Sequence, residues 1–113
     1  MSTKETIINE IKSFLKKEEN SKPSENLITL AVKFVELLPE EIRMPSYISD
    51  CDDSDAISFF WDFDDFFMDL GIYGDGTYAY YARVKGSEKE FIEDSASIET
   101  PLPKEIIEWL KTE

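Results

Sequence analysis

Eight aspartates fall between positions 50 and 69: Asp50, Asp52, Asp53, Asp55, Asp62, Asp64, Asp65 and Asp69. Carboxylates at that density have three chemistries open to them: hard-cation coordination, acid–base catalysis, and docking on a cationic surface. Coordination starts well, because Asp50-x-Asp52-x-Ser54 has the spacing that opens a calcium-binding loop. The pattern then fails: Asp55 stands where that loop needs glycine, and Trp61 stands where it needs its bidentate glutamate. No metal or other cofactor is expected.

Catalysis fares little better. A glycosidase-type pair needs two carboxylates at a set separation, one with its pKa raised by burial, and nothing in the spacing selects such a pair. There is no histidine to act as a base. The single cysteine, Cys51, lies among Asp50, Asp52 and Asp53, whose negative charge disfavours a thiolate nucleophile. The serines form no nucleophile-elbow pattern, and Gly74-Asp75-Gly76 lacks the further glycines of a dinucleotide loop. The chain is therefore not expected to be an enzyme; an aspartate-dependent divalent-metal protein or enzyme is kept as the remote alternative.

Docking is the chemistry the charge pattern favours. The chain carries 12 basic and 25 acidic residues, a net charge of −13. Residues 1–38 are neutral overall and residues 76–113 carry −3, so residues 39–75 carry −10, with Arg43 their only basic side chain. A field of this sign repels nucleic acid and anionic headgroups and steers basic surfaces inward. Direct binding of nucleic acid or membrane is not expected. Alternate residues of a β-strand lie about 6.6–6.8 Å apart, a step resembling the spacing of phosphates along a nucleic-acid strand. Such carboxylates can occupy lysines and arginines that otherwise hold phosphates. A solvated face that confers only solubility is the plainer alternative.

Beside the aspartates stand Phe59, Phe60, Trp61, Phe63, Phe66 and Phe67, followed by Tyr73, Tyr78, Tyr80 and Tyr81. A strand with rings on both sides cannot bury them all under one layer of helices. Some of Phe60, Phe63, Phe67, Tyr73 and Tyr81 are therefore expected at the surface or in a homodimer contact. Rings inside a charged rim are the usual makeup of an interface hot spot. Aromatic sheets also stack single-stranded bases, but Arg83 is the only basic residue in the expected strands, too few to hold a backbone.

The elements that must position these groups are readable from periodicity. Ser2 and Glu5 have capping-box spacing ahead of an apolar stripe of Ile7, Ile8, Ile11, Phe14 and Leu15. Lys16 to Pro23 reads as a loop, and Ser24 as the N-cap of a second helix running to about Leu38. There Leu27, Leu30, Ala31, Phe34, Val35 and Leu38 line one face, widened by Ile28, Val32 and Leu37. From Ala56 the period changes to two. Ala56–Trp61, Phe66–Tyr73 and Thr77–Val84 read as an antiparallel meander, with turns at Asp62–Asp65 and Gly74–Gly76 and a short fourth strand near Phe91. Phe66, Met68, Leu70 and Ile72 point one way; Phe67, Asp69, Gly71 and Tyr73 point the other. Pro101 and Pro103 open a terminal helix with Ile106, Ile107, Trp109 and Leu110 on its stripe. The expected fold is α+β in one domain spanning 1–113, with helices on one face of the sheet.

One cysteine permits no internal disulfide, residues 1–10 contain no unbroken apolar stretch, and the mostly apolar run Leu27 to Val32, broken by Thr29, is too short for a bilayer. A cytoplasmic location is the expectation.

The succession of a helix, Leu37-Leu38-Pro39, an Asp-rich turn, Ile57-Ser-Phe-Phe-Trp61 and Ile72-Tyr-Gly-Asp-Gly-Thr-Tyr78 resembles a recurrent group of small bacterial proteins, over roughly residues 30–110. That resemblance implies a helix-plus-meander fold and supplies no activity. In size and charge the chain is also similar to acidic inhibitors: phage anti-defence proteins that mimic DNA, such as some anti-CRISPRs, and immunity proteins that block nuclease toxins. No residue carries over from that likeness. The expected function is inhibition or sequestration of a basic, nucleic-acid-binding protein. The candidate contact residues are Asp50, Asp52, Asp53, Asp55, Asp62, Asp64 and Asp65, with Phe63 and Phe67 as anchors. An antitoxin or immunity protein covering a toxin's active site is the nearest alternative, and a monomer and a homodimer are both compatible with the sequence.

Overall fold

A computed structural model describes residues 3–16, 24–51 and 56–111, with the side chains of Leu15, Asp50 and Cys51 excepted. Ser2, most of the expected loop before Ser24, and Asp52, Asp53 and Asp55 lie outside the described residues.

Helix α1 spans Thr3–Ser13 and continues into one 3₁₀ turn over Phe14–Lys16. Its stripe buries Ile7 and Ile11 against α2, which spans Glu25–Glu36. Ser24 starts α2 as expected: its hydroxyl accepts from the Leu27 amide at 3.1 Å, satisfying a donor the helix leaves open. Leu27, Ile28, Ala31, Phe34 and Val35 face inward. Leu37, expected to widen that face, caps the helix instead and is 58% exposed.

Five strands follow, β1 (Tyr47–Cys51), β2 (Ala56–Asp62), β3 (Phe66–Tyr73), β4 (Thr77–Val84) and β5 (Glu90–Ser97), paired antiparallel in chain order. The sequence leads to an expectation of three or four. β1 escapes it because in a five-residue strand, where Ile48 is the buried side chain among the described ones, almost no alternation is left to read. β5 is a full eight residues and not a short strand, yet it buries none of them deeply. A bulge between Tyr78 and Tyr80 shifts its register. At the β3–β4 turn Gly76 takes φ 86°, and the Asp75 carboxylate accepts from the Thr77 amide and hydroxyl.

Helix α3, Lys104–Leu110, closes the fold on the same side as α1 and α2, with the Trp109 ring stacked on Phe66 at 5.5 Å. Ile57, Phe59 and Trp61 of β2, Phe66, Met68, Leu70 and Ile72 of β3, and Tyr78, Tyr80 and Ala82 of β4 join the helices in one core. Among the described residues no helix is long and apolar enough to cross a membrane.

Tyr78 supplies a check on this packing. It is buried against Phe34 and donates its hydroxyl to the Thr100 carbonyl at 2.8 Å. Burial, then the proximity of Tyr80 and of Glu93, pushes its pKa from 10.0 to about 12. An acid whose folded pKa is raised contributes fully below its unfolded value and loses that contribution above it. Titration of Tyr78 should therefore leave stability unchanged with pH below 10 and lower it by up to about 3 kcal/mol as pH rises from 10 to 12. Tyr78→Phe should lose about 1–2 kcal/mol at neutral pH, with a correspondingly smaller loss on raising the pH. Chemical unfolding of both proteins across that window checks it.

Candidate functional site

Helices on one face leave the other face of the sheet uncovered, and the register fixes what stands on it. One row runs across all five strands: Tyr47 opposite Phe60, Phe60 opposite Asp69, Asp69 opposite Tyr81, Tyr81 opposite Ile92. The outer members are the most open, Ile92 at 65% and Tyr47 at 62% exposure, while Phe60, Asp69 and Tyr81 are half-buried. Tyr47 and Phe60 rings lie 5.9 Å apart. To one side the next row is Asp62, Phe67, Arg83 and Glu90. To the other it is Ser49, Ser58, Gly71 and Ala79, all small.

That small-residue row makes a trough. Tyr73 folds back over Gly71, whose missing Cβ would sit 3.3 Å from the Tyr73 hydroxyl oxygen. The resulting concavity of about 400 Å³ includes Ser58, Asp69, Gly71, Tyr73, Tyr81 and Asp94 in its lining. Burial raises the pKa of Asp69 above its ordinary value. No hydrogen bond or ion pair reaches the Asp69 carboxylate from any described residue. Glu93, opposite Tyr80 beside the β4–β5 bulge, also lines this concavity and helps raise the pKa of both Tyr78 and Tyr80.

The predicted acidic residues are divided between the two ends of this sheet. Asp50 is opposite Ile57 near the β1–β2 end, while Asp62, Asp64 and Asp65 form the β2–β3 turn. Five residues of strand separate Ile57 from Asp62, about 17 Å. Asp62, Asp64 and Asp65 are exposed, and Asp62 is paired with Lys85 at 2.5 Å.

Phe63 and Phe67 part company as well. Phe67 stands on the uncovered face, whereas Phe63 packs at the margin of the core with the Arg43 guanidinium 3.6 Å from its ring centre. Arg43 also donates from Nη2 to the Trp109 carbonyl at 2.7 Å and from its amide to the Leu110 carbonyl at 2.7 Å, and its own carbonyl accepts from Trp61 Nε1 at 3.0 Å. The one basic residue of the acidic stretch thus ties α3 to the sheet. Elsewhere Lys4, Lys33, Lys89 and Lys111 pair with Glu40, Glu99, Glu105, and Glu41 with Glu108, respectively.

Among the described residues no group of three carboxylate or thiol side chains is placed to hold a metal ion. A second concavity, of about 240 Å³, lies between the end of α2 and the β5–α3 connection, lined by Phe34, Leu37, Pro39, Ile98, Pro101 and Ile107. It has no sequence signal, since it arises where three distant segments meet. Asp69 is legible as facing away from the core, but its place at the centre of an aromatic row depends on register. Comparison with protein-family models, with curated proteins and with solved structures gives no match to this chain.

Proposed function

We propose that this chain is an acidic binding protein of the cytoplasm that docks on a basic surface of another protein and inhibits or sequesters it, without catalysing a reaction. The observation that carries the reading is the uncovered aromatic sheet face with the exposed Asp62–Asp65 turn at its edge. Most of the lysines with described partners sit against glutamates of the helix side and loops, and Arg43 is engaged within the fold. At the sheet end Lys85 pairs with Asp62, and the charges of Asp64 and Asp65 are left for a partner. Complementary charge speeds such an encounter, and half-buried rings such as Phe67 slow dissociation. A partner whose surface normally holds nucleic acid has the required charge, so a nucleic-acid-mimicking inhibitor is the specific form proposed. An immunity protein or antitoxin has the same physical type, and competition with nucleic acid separates the two.

The test is the salt dependence of the complex. Raising ionic strength from low salt to about 0.5 M shortens the screening length severalfold, and the dissociation constant should rise by orders of magnitude through a slower association rate. A dissociation constant flat across that range would mean that the charge does not guide binding.

A further inference from the structure

Asp69 is placed where a carboxylate is costly to the isolated protein. It stands half-buried in the middle of an aromatic row, between Phe60 and Tyr81, without a hydrogen bond or ion pair from the described residues. Arg83, on the same face two residues beyond Tyr81, is opposite Phe67 and Glu90 and makes no ion pair with it. Along the strand Asp69 is followed by Gly71, and the trough over Ser58, Gly71 and Ala79 opens beside it under the Tyr73 ring. The residues lining that trough include Asp69, Glu93 and Asp94 and no lysine or arginine. Phe60 and Tyr81 are its partners on the two neighbouring strands, whose backbones lie about 4.8 Å from its own.

This combination is complementary to one kind of group. A carboxylate between two aromatic residues, beside a trough whose own lining holds no lysine or arginine, fits a planar cation that can pair with the carboxylate and stack on a ring at once. An ammonium meets the charge alone, whereas a guanidinium meets both charge and plane. We infer that the trough beside Asp69 seats an arginine side chain of the partner, with the guanidinium on the Asp69 carboxylate and its plane against Tyr81 or Phe60. The inference rests on the docking reading above and specifies its centre. The acidic turn then guides approach, and the Asp69 seat fixes register. The raised pKa of Asp69 agrees with it, since a desolvated carboxylate gains most from a cation that arrives with the partner.

Titration of the full chain with a synthetic arginine–glycine repeat peptide, followed by amide chemical shifts, tests the seat; the citrulline version of the peptide is the control. Shift changes should centre on Asp69, Gly71 and Tyr81 and vanish with citrulline. Asp69→Asn should weaken the peptide about tenfold, the loss of one charge-assisted contact, while its melting temperature stays level or rises. Asp64→Asn with Asp65→Asn should slow association and leave the Asp69-centred shifts in place. If Asp69→Asn binds like the wild type while the turn variant does not, the docking reading survives and the seat is wrong. If neither variant matters, or the peptide moves no residue of either region, both are wrong. Concentration-dependent shifts on the same face without peptide would identify a second copy of the chain as the occupant and overturn the inference.

Discussion

Replacing Asp62, Asp64 and Asp65 together by lysine is expected to weaken partner binding at least a hundredfold while the protein stays folded. Each reversal changes the local charge by two, so the net charge moves from −13 to −7, and the entire change falls on one turn. Close charge pairs across an interface couple by about 1.5 kcal/mol or more, and reversal adds repulsion to the lost attraction. Three such changes therefore exceed the roughly 2.7 kcal/mol that a hundredfold requires. The fold has little at stake in these side chains. All three are exposed; the turn is closed by backbone, with the Phe63 amide donating to the Phe66 carbonyl at 2.8 Å and the Lys85 amide to the Asp65 carbonyl at 3.0 Å. The Asp62–Lys85 pair lies on the surface, where an ion pair contributes about 0–1 kcal/mol. Circular dichroism and melting should thus remain close to wild type, with a shift of a few degrees at most. Unchanged affinity in the folded triple variant would remove the turn from the site.

Trp61→Ala should rank among the most destabilising single truncations of this core. Trp61 is fully buried and stacked on Phe59 at 5.9 Å, and removing so large a ring from a packed interior typically costs about 3–5 kcal/mol. It also leaves the Arg43 carbonyl without its indole donor. That segment ties α3 to the sheet, through Arg43 and through the Ile42–Lys111 bridge, so the damage extends beyond one cavity. Against a total of about 5–15 kcal/mol for a domain of this size, the variant should sit near its unfolding threshold at room temperature. Trp61→Phe keeps most of the packing and should lose less, with about 1–2 kcal/mol of the loss due to the hydrogen bond. Urea unfolding measures both. A cost for Trp61→Ala below about 1 kcal/mol would mean that this corner of the core is loose.

The helices and the central strands are legible in the sequence because their signals are local. Ser24 before an apolar stripe needs only the rules of helix capping, and the strict alternation from Phe66 to Tyr73 needs only the pleat of a strand. β1 and β5 are harder for the same reason: each owes its place to pairing with a neighbour, and neither carries an unbroken apolar alternation of its own. The separation of Asp50 from Asp62 follows from β2 being one uninterrupted strand, whereas in sequence the aspartates read as one cluster. Phe63 and Phe67 both read as exposed-ring candidates. The β2–β3 turn sends Phe63 beneath Arg43 and leaves Phe67 on the uncovered face, a distinction made by tertiary contact alone. Arg43 itself, a lone cation among eleven acids, would be assigned by charge to the aspartates; the structure assigns it to two carbonyls and a ring.

Whether the acidic sheet end holds a basic protein in place of nucleic acid is tested most directly by capturing the tagged chain's partner from its own host's lysate. The Asp62/Asp64/Asp65 lysine variant is run in parallel, and the captured complex is challenged by excess duplex DNA or RNA. The expected result is that the wild type retains a basic nucleic-acid-binding protein, that the variant does not, and that nucleic acid displaces it. A partner held equally by the variant, and indifferent to nucleic acid, would contradict the proposed function.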